Sequence, residues 1–144
     1  MAGRVVILNG SSSVGKSAIV DVDAQPTLRV GPILRALLRG YQKGAVAFAD
    51  EGISVIVDEV ILDPTHLDDW RALMRDREVR WIGVHCDVEE VDRREAQRGD
   101  RPIGLARAQM GTVHRSIDYD LELDTTTTAP IGNAAALARF LGSD

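Results

Sequence analysis

Gly10-Ser11-Ser12-Ser13-Val14-Gly15-Lys16-Ser17 follows directly on Arg4-Val5-Val6-Ile7-Leu8-Asn9. The first stretch fits G-x-x-x-x-G-K-[ST]. The second is a short apolar run of the kind that forms a buried parallel strand. Ser17-Ala18-Ile19-Val20 then reads as the start of a helix. Strand, glycine loop and helix start together give the motif a mechanism. Gly10 and Gly15 let successive backbone N–H groups surround one anion, and the helix N-terminus adds donors and partial positive charge. Lys16 has the reach for the β- and γ-phosphates of a nucleotide, and the Ser17 hydroxyl suits Mg²⁺. The plainer alternative is a glycine-serine turn between a strand and a helix.

The 144 residues suit one domain, with enough chain for a core. A net charge of −5 leaves no basic excess to neutralise a nucleic-acid backbone, so nucleic acid is not an expected partner. No apolar run is long enough to span a bilayer, and the chain enters its first strand with no signal peptide. Cys86 is the single cysteine and has no partner for an internal disulfide, so a cytoplasmic protein is expected. Arginine outnumbers lysine fifteen to two, so arginine positions carry more weight than arginine counts.

Further along, the helix opened at Gly15 is expected to end early, at Pro26. Thr27 to Pro32 reads as a brief extended piece. Pro32 starts a helix with Ile33, Leu34, Leu37, Leu38 and Tyr41 at helical spacing, continued by Val46 and Phe48. Ile53 to Glu59 is a second strand ending in two acids. Asp63-Pro64 combines a cap with a first-turn proline, and Leu67, Trp70, Leu73 and Met74 form the buried stripe of that helix. Val79 to Asp87 is a strand, Val88 to Arg98 a charged helix, Ile103 to Arg115 a helix, Tyr119 to Asp124 a strand and Ile131 to Leu141 the last helix. Strands alternating with helices predict an α/β fold with a mainly parallel sheet.

In such a sheet, ligands sit at the carboxyl ends of the strands. Asp58 and Glu59 fall there. An acid at that place in a phosphate-loop protein holds Mg²⁺, with Asp58 the first choice, or else the pair caps the following turn. Arg93, Arg94, Arg98 and Arg101 cluster beside Gly99-Asp100. A mobile arginine segment of this kind stabilises a transferred phosphoryl group and excludes water, with Arg98 and Arg101 the foremost candidates. The alternative is a solvated helix whose arginines pair with Glu89, Glu90, Asp92 and Glu95. Asp124-Thr125-Thr126 lies where a nucleotide base is bound in this topology, or serves only to cap the last helix. His114 reads as structural, His66 and His85 receive no role, and Cys86 reads as a core residue.

Taken in order, Ile7 to Ser17, Val57 to Val60, Trp81 to Asp87, Arg98-Gly99-Asp100-Arg101 and Tyr119 to Thr126 resemble the chloramphenicol phosphotransferase family. The resemblance implies a three-layer, nucleoside-monophosphate-kinase-like fold. It also implies ATP and Mg²⁺ at Gly10 to Ser17 and a small-molecule alcohol, chloramphenicol-like, as acceptor; antibiotic resistance is the corresponding role. One interval departs from the family. After the phosphate-loop helix the family carries a strand and a short Val-Asp-Ser motif whose aspartate is taken as the general base. Here only Asp21 to Val30 occupies that interval, so Asp21 or Asp23 would have to stand in, with Asp23 the candidate taken forward. Either the chain is shortened there, or a segment has been lost near Val20–Asp23. The same residues also suit a nucleotide-binding protein without transferase activity, or a kinase of another metabolite. A homo-oligomer is compatible with all three.

Overall fold

A computed structural model describes residues 3–11, 20–22, 28–30, 32–98 and 103–142. Among them are strands β1 (Val5–Gly10), β2 (Val20–Val22), β3 (Leu28–Val30), β4 (Val55–Glu59), β5 (Val79–His85) and β6 (Leu121–Asp124). The helices are α1 (Pro32–Asp50), α2 (Pro64–Met74), α3 (Val88–Arg98), α4 (Leu105–Val113) and α5 (Pro130–Leu141).

Four strands form one parallel sheet in the order β4-β1-β5-β6. β1 lies inside it, which explains its unbroken apolar run. Successive side chains alternate between two covered faces. Val5 and Ile7 enter a core with Val57, Ala45, Val46, Ala49, Leu67 and Trp70, beneath α1 and α2. Val6 enters a second core with Ile82 and Leu123, against which Leu137 and Phe140 of α5 pack. The sheet therefore has helices on both sides, as the α/β pattern predicts.

Asp63 caps α2 as its position before Pro64 predicts, its carboxylate accepting from the Thr65 N–H at 2.8 Å. Leu67, Trp70 and Met74 of α2 are buried, and Leu73 packs against the same core.

Two expectations are corrected. Val20 does not belong to a helix that starts in the phosphate loop. Val20–Val22 is a strand paired antiparallel with Leu28–Val30, with Asp21 opposite Arg29. The β-branched Val20 and Val22 alternate with Asp21, which suits a ladder better than a helix. The second correction concerns α1. Its buried residues are Gln42, Ala45, Val46 and Ala49, whereas Ile33 is 75% exposed and Leu37 64%. The small Ala45 and Ala49 let the C-terminal half approach the sheet closely, so packing concentrates there. Ile33, Leu37, Tyr41 and Phe48 remain exposed, while Leu34 and Leu38 are half-buried.

Candidate active site at the carboxyl edge of the sheet

β1, β4, β5 and β6 all run the same way, so their ends gather Gly10, Asp58-Glu59, His85 and Asp124 on one edge. Gly10 closes β1 and opens the G-x-x-x-x-G-K-S motif in the sequence. A Cβ there would lie 2.9 Å from the Val84 carbonyl oxygen, so the close pairing of Gly10 with Val84 favours glycine. Ser11 is described and half-buried. Ser12, Ser13, Val14, Gly15, Lys16, Ser17, Asp23 and Arg101 lie outside the described residues, and so does the side chain of Arg98, the last residue of α3.

The two acids ending β4 face opposite ways. Asp58 is exposed, opposite Leu8 in the register. Glu59, opposite Asn9, is 2% exposed. Its Oε1 accepts a hydrogen bond from Trp70 Nε1 at 3.3 Å and lies 3.3 Å from His66 Nε2, out of line for a hydrogen bond. Gln42 Nε2 lies 3.3 Å from His66 Nδ1 and donates to the His66 carbonyl. Glu59 is thus enclosed by the helices, and Asp58 is the acid presented at the edge.

On α3 the arginines divide. Glu90 receives Arg93 at 2.6 Å and Arg94 at 2.7 Å, and these bonds, Arg93 first, lower its carboxyl pKa to about 2. Arg94 also donates to the Thr125 carbonyl at 2.5 Å and to Thr125 Oγ1 at 3.2 Å, tying α3 to the end of β6. Arg107 pairs with Asp92. The Asp124 carboxylate accepts from the Thr126 and Thr127 N–H groups, which hold it below the usual carboxylate range. Asp124 thus closes a turn in the loop after β6 and does not cap α5, whose cap residue is Ala129, with no side-chain cap hydrogen bond. Asp87, Val88, Glu89, Glu90, Arg93 and Thr126 line an open cavity of about 520 Å³ beside this loop.

Two polar arrangements are missed in reading the sequence. Glu95, 6% exposed, accepts from the Gly104 and Ala106 N–H groups at 2.5 and 3.1 Å. It thereby caps α4, whose own cap residue, Gly104, lacks a side chain. Asn9, fully buried, donates to the Val113 carbonyl at 2.6 Å and to Tyr119 Oη at 2.9 Å, and accepts from the Ile61 N–H at 2.9 Å. Tyr119 in turn meets His114 Nδ1 at 2.7 Å, and His114 stacks on His85 with ring centroids 4.1 Å apart. His114 and His85, read as structural and as without a role, sit in one cluster at this edge. The signal available was the Asn9-Gly10 pair, an amide directly before the phosphate loop. Among the described residues no group of three or more His, Cys, Asp or Glu is arranged for a metal. No described helix is long and apolar enough to cross a membrane.

Two solved structures share this fold. A Mycobacterium tuberculosis APS kinase, solved in complex with AMPPNP and APS, superposes with a TM-score of 0.64 at 18% identity, covering 98% of each chain. A sugar kinase from Janibacter sp. HTCC2649, unliganded, gives 0.65 at 18% identity, covering 97% of this chain and 95% of its own. Two proteins of Mycobacterium tuberculosis, from strains CDC 1551 / Oshkosh and ATCC 25618 / H37Rv, each bear the name Putative O-phosphotransferase. Each is 38% identical over 102 residues. That alignment covers 71% of this chain but 45% of theirs, so the chain spans about half the length of these relatives. The profile of the family described as chloramphenicol phosphotransferase-like protein matches residues 21–142, and the chain belongs to that family.

Proposed function

We propose that this chain is an ATP-dependent O-phosphotransferase, moving the γ-phosphoryl group to a hydroxyl of a small molecule, with a chloramphenicol-like antibiotic as first candidate. The observation that carries the reading is the sequence G-x-x-x-x-G-K-S continuing from the carboxyl end of β1, inside a parallel sheet, in a chain of this family. Backbone N–H groups of Gly10, Ser11, Ser12, Ser13, Val14 and Gly15 cradle phosphate oxygens in this reading, and Lys16 reaches the β- and γ-phosphates.

Mg²⁺ would be held by the Ser17 hydroxyl and Asp58. Both are hard oxygen donors, and the exposure of Asp58 at the edge beside β1 fits that use, whereas Glu59 is enclosed. When bound, the ion neutralises charge on the phosphate oxygens. Arg98 and Arg101 supply guanidinium groups to the group in transit. Asp124 and Thr125 are assigned to the nucleotide's base side, supported by the Arg94–Thr125 contact and the adjoining cavity. Asp23 is the candidate base. A cytoplasmic location, where ATP is abundant, goes with this role.

An ATP-coupled assay of the full-length gene product against chloramphenicol and other alcohols tests the reading. Phosphorylated acceptor, lost in Lys16→Ala, is expected. ATP binding without turnover of any acceptor would refute the transferase and leave a nucleotide-binding protein. One observation favours that second reading. Asp21, the alternative stand-in base, lies in the β2–β3 hairpin opposite Arg29 and not on a strand of the four-stranded sheet.

A further inference from the structure

We propose that Asn9, Tyr119 and His114 are positioning residues that fix where the phosphate loop leaves the sheet, and that the device works only while His114 is uncharged. The proposal rests on the nucleotide-binding reading above and adds to it the residues that aim the loop and the pH range in which they do so.

Asn9 is the residue before Gly10. Among the described residues its side-chain hydrogen-bonding partners come from distant elements: the Ile61 N–H after β4, the Val113 carbonyl ending α4, and Tyr119 Oη before β6. Ile61 offers only a donor and Val113 only an acceptor, so the orientation of the amide is determined by its partners. The end of β1 is held beside β5 by the Gly10–Val84 pairing, and a Cβ on Gly10 would come within 2.9 Å of the Val84 carbonyl oxygen. Tyr119 reaches Asn9 because residue 83 is glycine: a Cβ there would stand 2.7 Å from the tyrosine ring. Backbone donors that cradle phosphate act only when placed to a fraction of an ångström. The last side chain before them is clamped from three sides.

The proton order follows from the partners. Tyr119 Oη already accepts from Asn9 Nδ2, and we assign its own proton to His114 Nδ1, 2.7 Å away, the roles of that pair being set by the imidazole tautomer. That requires a neutral His114 carrying its proton on Nε2. Protonation at Nδ1 reverses that bond, leaving Tyr119 Oη to accept from both Asn9 and His114 and stripping the tyrosine proton of its acceptor. The groups facing His114 are His85 from β5, Glu122 from β6 and Tyr119 from the intervening loop. Asn9 from β1 and the Val113 carbonyl of α4 carry no charge, and Arg71 of α2 reaches the Ser116 carbonyl and Asp68. Burial first, then His85, lowers the pKa of His114, against a smaller opposing effect of Glu122.

The experiment measures the dissociation constant of ATP by calorimetry at pH 7.5 and 5.5, for wild type, His114→Gln and Tyr119→Phe. ATP's own protonation affects all three proteins alike. Wild type is expected to weaken between the two pH values by about fivefold more than His114→Gln, the worth of one net hydrogen bond. Tyr119→Phe is expected to bind about fivefold more weakly than wild type already at pH 7.5. Circular dichroism of each variant confirms folding, and if Tyr119→Phe does not fold the His114→Gln comparison decides. Equal pH ratios in wild type and His114→Gln overturn the proposal. Wild-type affinity in a folded Tyr119→Phe overturns it also. Failure of wild type to bind ATP at either pH removes the nucleotide reading itself, and this proposal with it.

Discussion

Replacing Glu95 by alanine should destabilise the protein by an amount its geometry fixes. The carboxylate is 6% exposed and accepts two backbone hydrogen bonds in the first turn of α4, from Gly104 at 2.5 Å and Ala106 at 3.1 Å. Gly104 sits at φ +92 and has no side chain with which to take over. Removing a capping acceptor costs about 1 kcal/mol per bond, and the loss of a negative charge at a helix N-terminus adds about 0.3–1 kcal/mol. The total is about 2–3 kcal/mol. With a urea m-value of about 1–3 kcal/mol/M, the unfolding midpoint at pH 7 should fall by about 0.7–3 M. Glu95→Gln keeps one acceptor oxygen and should lose roughly half as much. A Glu95→Ala midpoint within about 0.2 M of wild type would refute the cap as a stabilising contact. Equal losses in the two variants would refute the bond-by-bond account.

Gly83→Ala should cost about 1–3 kcal/mol by overpacking, since its Cβ would lie 2.7 Å from the Tyr119 ring and 2.9 Å from His85 Nε2. An unchanged melting temperature would show that the ring has room to move. Glu90 gives a pH prediction. Arg93 and Arg94 lower its pKa from 4.5 to about 2, so its contribution is full above pH 4.5 and disappears as pH falls toward 2. Glu90→Gln should flatten that part of the acid-unfolding profile, and superimposable profiles would contradict the assignment.

The parts of this fold written in local sequence are those governed by short periodicities. The apolar run Val5 to Leu8 announces an interior strand because both its faces are covered. Asp63-Pro64 announces α2 because cap and proline act within one turn. The Glu90–Arg93 and Glu90–Arg94 pairs follow from three- and four-residue helical spacing. Three things lay beyond such rules. The apolar spacing at the start of α1 is helical, but periodicity does not say which part of a helix meets the sheet. Val20–Val22 was drawn into a helix by its neighbours, when its own β-branched alternation favours the ladder it forms. The Asn9–Tyr119–His114 cluster joins residues more than a hundred positions apart, and no local pattern encodes a partner at that distance.

The order β4-β1-β5-β6 also sets a schedule. β1 is an interior strand, and neither of its neighbours in the sheet is close behind it in the chain. Val5 pairs with Val55 and Val79, so at about 5–20 residues per second its first partner is made some 2.5–10 seconds later. Through that interval an apolar segment must wait without a sheet. The helices between, α1 above all, are the elements able to form first and shelter it.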